Sequence, residues 1–142
     1  VLKTLLIPRA MLVTPNLPET QALTGVLPRS PHTLRNAAQA FLMLGARNTL
    51  FKGGHGEEPV AKDTLWFGGN FTDLTAPRQD TPHTHGTGCT FASALAAHLA
   101  KGRSVLDAAQ AAKAYVTQAI RHGLAIGHGH GPTDHFYFLE RE

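Results

Sequence analysis

Between Ser30 and Lys52 the chain changes its hydrophobic period once, and no other stretch limits the architecture as much. Leu34, Ala37, Ala38, Phe41 and Leu42 recur at helical spacing and form a single apolar stripe. Ser30-Pro31 ahead of them reads as an N-cap with proline at the first helical position, and Gly45 behind them as the glycine just past the helix end. Thr49-Leu50-Phe51-Lys52 follows at once as a short strand and runs into Gly53-Gly54-His55. Helix then strand, with a glycine loop at the strand's carboxyl end, is the alternation that builds parallel α/β sheets with ligand loops along one edge. The 142 residues, 42% of them hydrophobic, supply apolar mass for one domain core and too little for two.

The flanking segments extend the pattern. Ala10-Met11-Leu12-Val13-Thr14 reads as a strand of the kind a parallel sheet buries on both faces, ending at Thr14-Pro15-Asn16. Asn16-Leu17-Pro18-Glu19 then opens a short helix to about Leu23 that stops at Thr24-Gly25. Residues 62–76 predict a hairpin with a glycine turn at the edge of the sheet, and residues 77–84 a loop. His85-Gly86-Thr87-Gly88-Cys89-Thr90 opens a helix in which Phe91, Leu95 and Leu99 fall four apart, ended by Lys101-Gly102. Ser104 caps the last long helix, whose Val105, Ala108, Ala109, Ala112, Val116 and Ala119 form the buried stripe to about Gly123. The expected fold class is α/β, with residues 1–142 forming a single domain. The text begins at Val1 in what reads as the tail of a helix, so the chain is expected to have been cut from something longer.

Charge narrows the partners. Thirteen Lys and Arg against ten Asp and Glu give +3, and the cations are scattered rather than gathered into a stripe, so a small anion suits the chain better than nucleic acid. The single cysteine, Cys89, excludes an intrachain disulfide framework and any cysteine-only zinc site. With no apolar run near the roughly 18 residues of a membrane span, the expected location is the cytoplasm, away from the membrane.

Gly86-Thr87-Gly88-Cys89 is the most informative tetrapeptide. Glycines at a helix start let backbone N–H groups turn towards one point, and the helix dipole adds positive potential there, so an anion is held without a lysine. The same field falls on the Cys89 sulfur and favours thiolate, which can take or share a proton. The alternative is that the glycines only pack a helix against a loop and Cys89 is a small buried hydrophobe. Asn16 and Glu19 lie just past a strand end, where the carboxylate can hold Mg²⁺ directly or through water; Glu19 reads equally as the acid of a helix first turn. Lys52, at the neighbouring strand's end, can reach a phosphate or sit solvated. His83 and His85, like His128 and His130, have a spacing that can chelate, yet without cysteine partners and set in glycine loops they read as loop-shaping residues, as does His135.

Thr14-Pro15-Asn16-Leu17-Pro18-Glu19, Lys52-Gly53-Gly54-His55, Thr84-His85-Gly86-Thr87-Gly88-Cys89-Thr90, Ala112-Lys113-Ala114-Tyr115 and Gly129-His130-Gly131-Pro132 stand in the order and spacing found in one family. Through them the chain resembles the C-terminal half of the hydroxymethylpyrimidine/phosphomethylpyrimidine kinases of thiamine biosynthesis, within the ribokinase-like superfamily. The resemblance implies part of a mostly parallel sheet flanked by helices, and ATP-dependent phosphorylation of 4-amino-5-hydroxymethyl-2-methylpyrimidine or its monophosphate. It implies an anion hole at Gly86, Thr87, Gly88 and Cys89, with Cys89 deprotonating or orienting the substrate hydroxymethyl group. It ties Asn16 and Glu19 to Mg²⁺ and phosphate, Lys52 and Thr87 to the nucleotide phosphates, and Lys113 to the adenine pocket. A homodimer is implied for the complete enzyme. Much of the pyrimidine pocket belongs to the half without counterpart here, so two alternatives stand: a pyridoxal kinase of the same superfamily, and a truncated, non-catalytic nucleotide-binding module. The half without counterpart also leaves an open sheet edge.

Overall fold

Residues 1–53 and 59–139 are described by a computed structural model of the chain. They divide between two compact units, Val1–Glu57 with Ala61–Leu74, and Glu58–Val60 with Thr75–Glu142.

In the first unit, a π-type turn (Leu2–Leu6) passes into a 3₁₀ turn (Ile7–Arg9) with proline inside it. Helix α1 (Leu17–Thr24) and helix α2 (Pro31–Met43) both begin with side-chain caps. Ser30 Oγ accepts the Thr33 N–H, Thr33 Oγ1 accepts the Ser30 N–H, and Pro31 occupies a first-turn position whose N–H would have had no partner. The stripe read from the sequence buries Ala37, Ala38 and Phe41 against Ile7, Ala46 and Phe51, with the Phe41 and Phe51 rings edge to face at 5.9 Å. Strand β1 (Thr49–Lys52) pairs antiparallel with β2 (Val60–Phe67), Thr49 opposite Trp66 and Lys52 opposite Asp63. Strand β3 (Asn70–Pro77) completes a sheet in the order β1-β2-β3, so the hairpin lies at the edge as its sequence predicts. Gly68 and Gly69, both at positive φ, supply the two-residue turn that matches the strands' twist.

The expected strand at Ala10–Thr14 is not continuous. Its segment runs parallel to β1 through isolated bridges at Val13 and Asn16. Val13 donates to the Asn48 carbonyl and accepts from the Leu50 N–H, and the Pro15 carbonyl accepts from the Lys52 N–H. The rung between these would need an N–H at position 15, and proline has none. One missing donor thus leaves two parallel contacts where a ladder was expected.

In the second unit, α3 (Thr87–Ala100) packs on α4 (Val105–Arg121). Phe91 and Leu95 are buried from one side, Val105, Ala108, Ala109, Ala112, Val116 and Ala119 from the other; the alanines let the helix backbones approach closely. Ser104 Oγ accepts the Asp107 N–H and donates to Asp107 Oδ2, closing the cap of α4. Among the described residues no helix is long and apolar enough to cross a membrane.

Candidate active site

The mouth of α3 differs from those of the other helices. Its N-cap is Gly86, at φ 86°, and no side chain caps it. That left-handed turn folds the Gly86 carbonyl back into the helix, where it accepts both the Thr90 N–H and the Thr90 hydroxyl at 2.9 Å. Thr87 is occupied by Thr84, whose carbonyl accepts its N–H at 3.3 Å and its hydroxyl at 2.7 Å. The amides of Gly88 and Cys89 take no partner among the described residues, so two donors and the positive end of the helix face outward together. Cys89 is exposed, which removes the reading of its sulfur as a small core hydrophobe.

The turn leading to this mouth is held by the 124–135 segment. His85 donates its N–H to the Gly131 carbonyl, and the His85 carbonyl accepts from the Thr133 N–H. His83 Nδ1 accepts the Gly131 N–H at 3.2 Å, and His130 Nδ1 donates to the Pro82 carbonyl at 2.9 Å. Behind these, Thr90 Oγ1 lies 2.9 Å from His135 Nε2 and 3.3 Å from Thr133 Oγ1, while the Tyr115 hydroxyl donates to the His135 carbonyl at 2.8 Å. Burial, then the nearby Tyr137 and Asp134, push the Tyr115 phenol above its ordinary range, so it remains a donor. Among the described residues no group of three or more His, Cys, Asp or Glu is placed to hold a metal ion.

In the first unit, Asn16 and Glu19 form a capping box at α1. Asn16 Oδ1 accepts the Glu19 N–H and Glu19 Oε2 accepts the Asn16 N–H, each at 2.8 Å. The Asn16 amide oxygen thereby gives one of its two acceptor positions to the helix. Glu19 is exposed and its Oε1 carries neither of these bonds; it borders a cleft of about 440 Å³ with Leu2, Ile7, Val13, Thr14, Pro15, Ala22 and Leu23. The bridge between Asn16 and Lys52 sets those two residues side by side. Below them the Gly53 N–H donates to Asp63 Oδ1 at 3.0 Å. Gly54 and His55, read as part of the same loop, lie outside the described residues.

Of the residues singled out in the sequence, the structure therefore groups Gly86, Thr87, Gly88 and Cys89 in one unit, and Asn16, Glu19 and Lys52 in the other. Lys113 lies in the former unit but is buried, 8% exposed, on the inward stripe of α4. Thr90, Thr133 and Tyr115 brace this mouth, a role their sequence positions do not announce. The only available signal was a hydroxyl on the helix stripe next to Phe91, and it does not name partners 43 and 45 residues away.

A family model described as phosphomethylpyrimidine kinase matches residues 1–134. The chain is 46% identical over 138 residues to the hydroxymethylpyrimidine/phosphomethylpyrimidine kinase of Bacillus subtilis, covering 96% of this chain and 51% of that relative. It is 46% identical over 140 residues to the thiamine biosynthesis bifunctional protein ThiED of Geobacter sulfurreducens, covering 99% of this chain and 29% of that protein. The pyridoxal kinase of Staphylococcus aureus in complex with ADP superposes with a TM-score of 0.90 at 35% identity, over 96% of this chain and 51% of that one. The chain thus spans about half the length of the Bacillus relative.

Proposed function

The chain belongs to the phosphomethylpyrimidine kinase family, and from that premise we propose that it is the C-terminal part of an ATP-dependent kinase. Its substrate would be hydroxymethylpyrimidine or its monophosphate, and its pathway thiamine biosynthesis. The observation that carries the reading is the uncapped mouth of α3, with two outward amides beside an exposed cysteine sulfur. Phosphoryl transfer asks a protein chiefly for positioning and for neutralisation of charge on the moving group. The Gly88 and Cys89 amides would hold the oxygens of that group, with Gly86 and Thr87 setting their direction. Cys89 would take or orient the hydroxymethyl proton as that oxygen bonds to phosphorus and the bond to ADP breaks.

ATP enters as phosphoryl donor, with Lys52 and Thr87 at its phosphates and Lys113 by its adenine. For Mg²⁺, the exposed Glu19 carboxylate with Oε1 outside the cap suits a cation held through water and substrate phosphates. Asn16, whose amide oxygen accepts the Glu19 N–H with one of its two acceptor positions, would anchor Glu19 and stand beside the cation with it. A bound Mg²⁺ would neutralise charge between the nucleotide phosphates. The Val13–Asn16 bridges to β1 fit the rim of a mostly parallel, ribokinase-like sheet completed by the rest of one kinase domain. A cytoplasmic location and a homodimer go with the complete enzyme in this reading.

The second reading, a pyridoxal kinase, is favoured by the structural likeness to the Staphylococcus aureus enzyme of that name. A coupled ADP-release assay with hydroxymethylpyrimidine and with pyridoxal, on the longest natural chain containing this segment, separates the two; absence of ADP release with both substrates points to a non-catalytic module. Cys89→Ala is expected to lower turnover about tenfold or more while changing nucleotide affinity by less than about threefold. Unchanged turnover would remove Cys89 from the mechanism.

A further inference from the structure

We propose that His135 is a positioning residue for the α3 anion cradle: its Nε2–H, donated to Thr90 Oγ1, commits the Thr90 hydroxyl to the Gly86 carbonyl and so fixes the turn from which the Gly88 and Cys89 amides point. The proposal rests on the kinase reading above for what the cradle holds.

The assignment follows from donor counting. Thr90 Oγ1 has one hydrogen and three polar neighbours, Gly86 O at 2.9 Å, His135 Nε2 at 2.9 Å and Thr133 Oγ1 at 3.3 Å. A carbonyl oxygen only accepts, so the hydroxyl hydrogen goes to Gly86. The His135 ring must then supply the hydrogen of its own contact, which fixes Nε2 as the protonated nitrogen. The alternative tautomer would draw the Thr90 hydrogen to the ring and release the Gly86 carbonyl from one of its two bonds.

The release matters because that carbonyl belongs to the turn that aims the two amides. With the Thr90 N–H and hydroxyl both bound to it, its lone pairs are turned back into the helix. With one bond instead of two, the Gly86 peptide is less firmly fixed, and the Gly88 and Cys89 amides that follow it lose part of the preorganisation an anion site depends on. The peptide on the other side is held in the same way, the His85 carbonyl by the Thr133 N–H and the His85 N–H by the Gly131 carbonyl. His135 is itself anchored, since the Tyr115 hydroxyl on α4 donates to its carbonyl at 2.8 Å. A line of bonds thus runs from α4 through Tyr115, His135 and Thr90 to Gly86.

The test has two independent arms, both on the longest natural chain containing the segment. In the first, the ring ¹⁵N pattern of neutral His135 is read by NMR; protonated Nε2 is expected, and protonated Nδ1 with bare Nε2 overturns the proposal. In the second, His135→Leu and His135→Gln are compared in the ADP-release assay, because glutamine keeps an N–H donor near the Nε2 position. His135→Leu is expected to lower kcat about fivefold with KM for the pyrimidine unchanged, as loss of one oriented hydrogen bond does, and His135→Gln to recover most of it. No loss in the leucine variant, or equal loss in both, overturns the proposal. Should the unmodified chain release no ADP, the kinase reading fails. Titration of the Gly88 and Cys89 amides with inorganic phosphate then decides for His135: about fivefold weaker binding in His135→Leu supports it, equal binding overturns it.

Discussion

Gly131→Ala is expected to unfasten the segment that braces the α3 mouth, whereas Gly129→Ala, two residues away, is expected to do almost nothing. A Cβ on Gly131 would overlap the Leu124 carbonyl oxygen, which is backbone and cannot swing aside, and would meet the His83 ring at Nδ1 and Cγ. A Cβ on Gly129 meets nothing within 4 Å. Making room at 131 means separating it from Leu124, and the bonds at risk are Leu124 N–H to Pro132 O, Gly131 N–H to His83 Nδ1 and His85 N–H to Gly131 O. At about 1 kcal/mol for each net hydrogen bond, the loss comes to about 3 kcal/mol. Urea unfolding of the two variants beside the unmodified chain measures it; at an m of about 2 kcal/mol/M, the Gly131→Ala midpoint should fall by about 1.5 M. The Gly129→Ala midpoint should stay within about 0.25 M. Equal midpoints for both variants would refute the argument that this close approach of backbone to backbone holds the loop.

Other substitutions probe other links. Asn16→Ala removes the acceptor of the α1 capping box and should lower stability by about 1 kcal/mol, read as a denaturation midpoint. Phe41→Ala empties the centre of the first unit's core and should cost about 3–5 kcal/mol, or leave the chain unfolded at ambient temperature. His98 is held below its usual range by burial and then by Arg103 and Lys101, so the unfolded chain binds its proton first. Stability from this residue is complete above about pH 6.5 and is lost as pH falls below it; His98→Gln should flatten that limb of the pH–stability curve. Tyr115 has the opposite shift, so its contribution is complete below about pH 10 and is lost as pH rises through its folded value; Tyr115→Phe should flatten the alkaline limb.

Local signals carried most of the elements. Ser30-Pro31, Asn16 with Glu19, and Ser104 with Asp107 each contain the atoms that satisfy a helix start within three residues, so the structure could only repeat what the sequence spells. Gly68-Gly69 fixes the hairpin for the same reason. The strand at Ala10–Thr14 failed to form a ladder because its pairing depends on an N–H that Pro15 lacks, a backbone fact that hydrophobic patterning ignores. Glu19 shows the same limit in the site: its residue type suits both a cation and a helix cap, and one of its oxygens serves the cap. Cys89 was readable as either reactive or packed, and only its exposure separates those. The line Tyr115, His135, Thr90, Gly86 was invisible, since each of its long links joins residues 20 or 45 apart, a separation that no local signal spans.

The most direct measurement for the kinase account is a crystal structure of the longest natural chain containing this segment with AMP-PCP and magnesium. The account predicts the terminal phosphate within hydrogen-bonding distance of the Gly88 and Cys89 amides, with the Cys89 sulfur on the side from which a hydroxymethyl group would attack. A terminal phosphate bound elsewhere, with those two amides taken up by the protein's own oxygens, would contradict it.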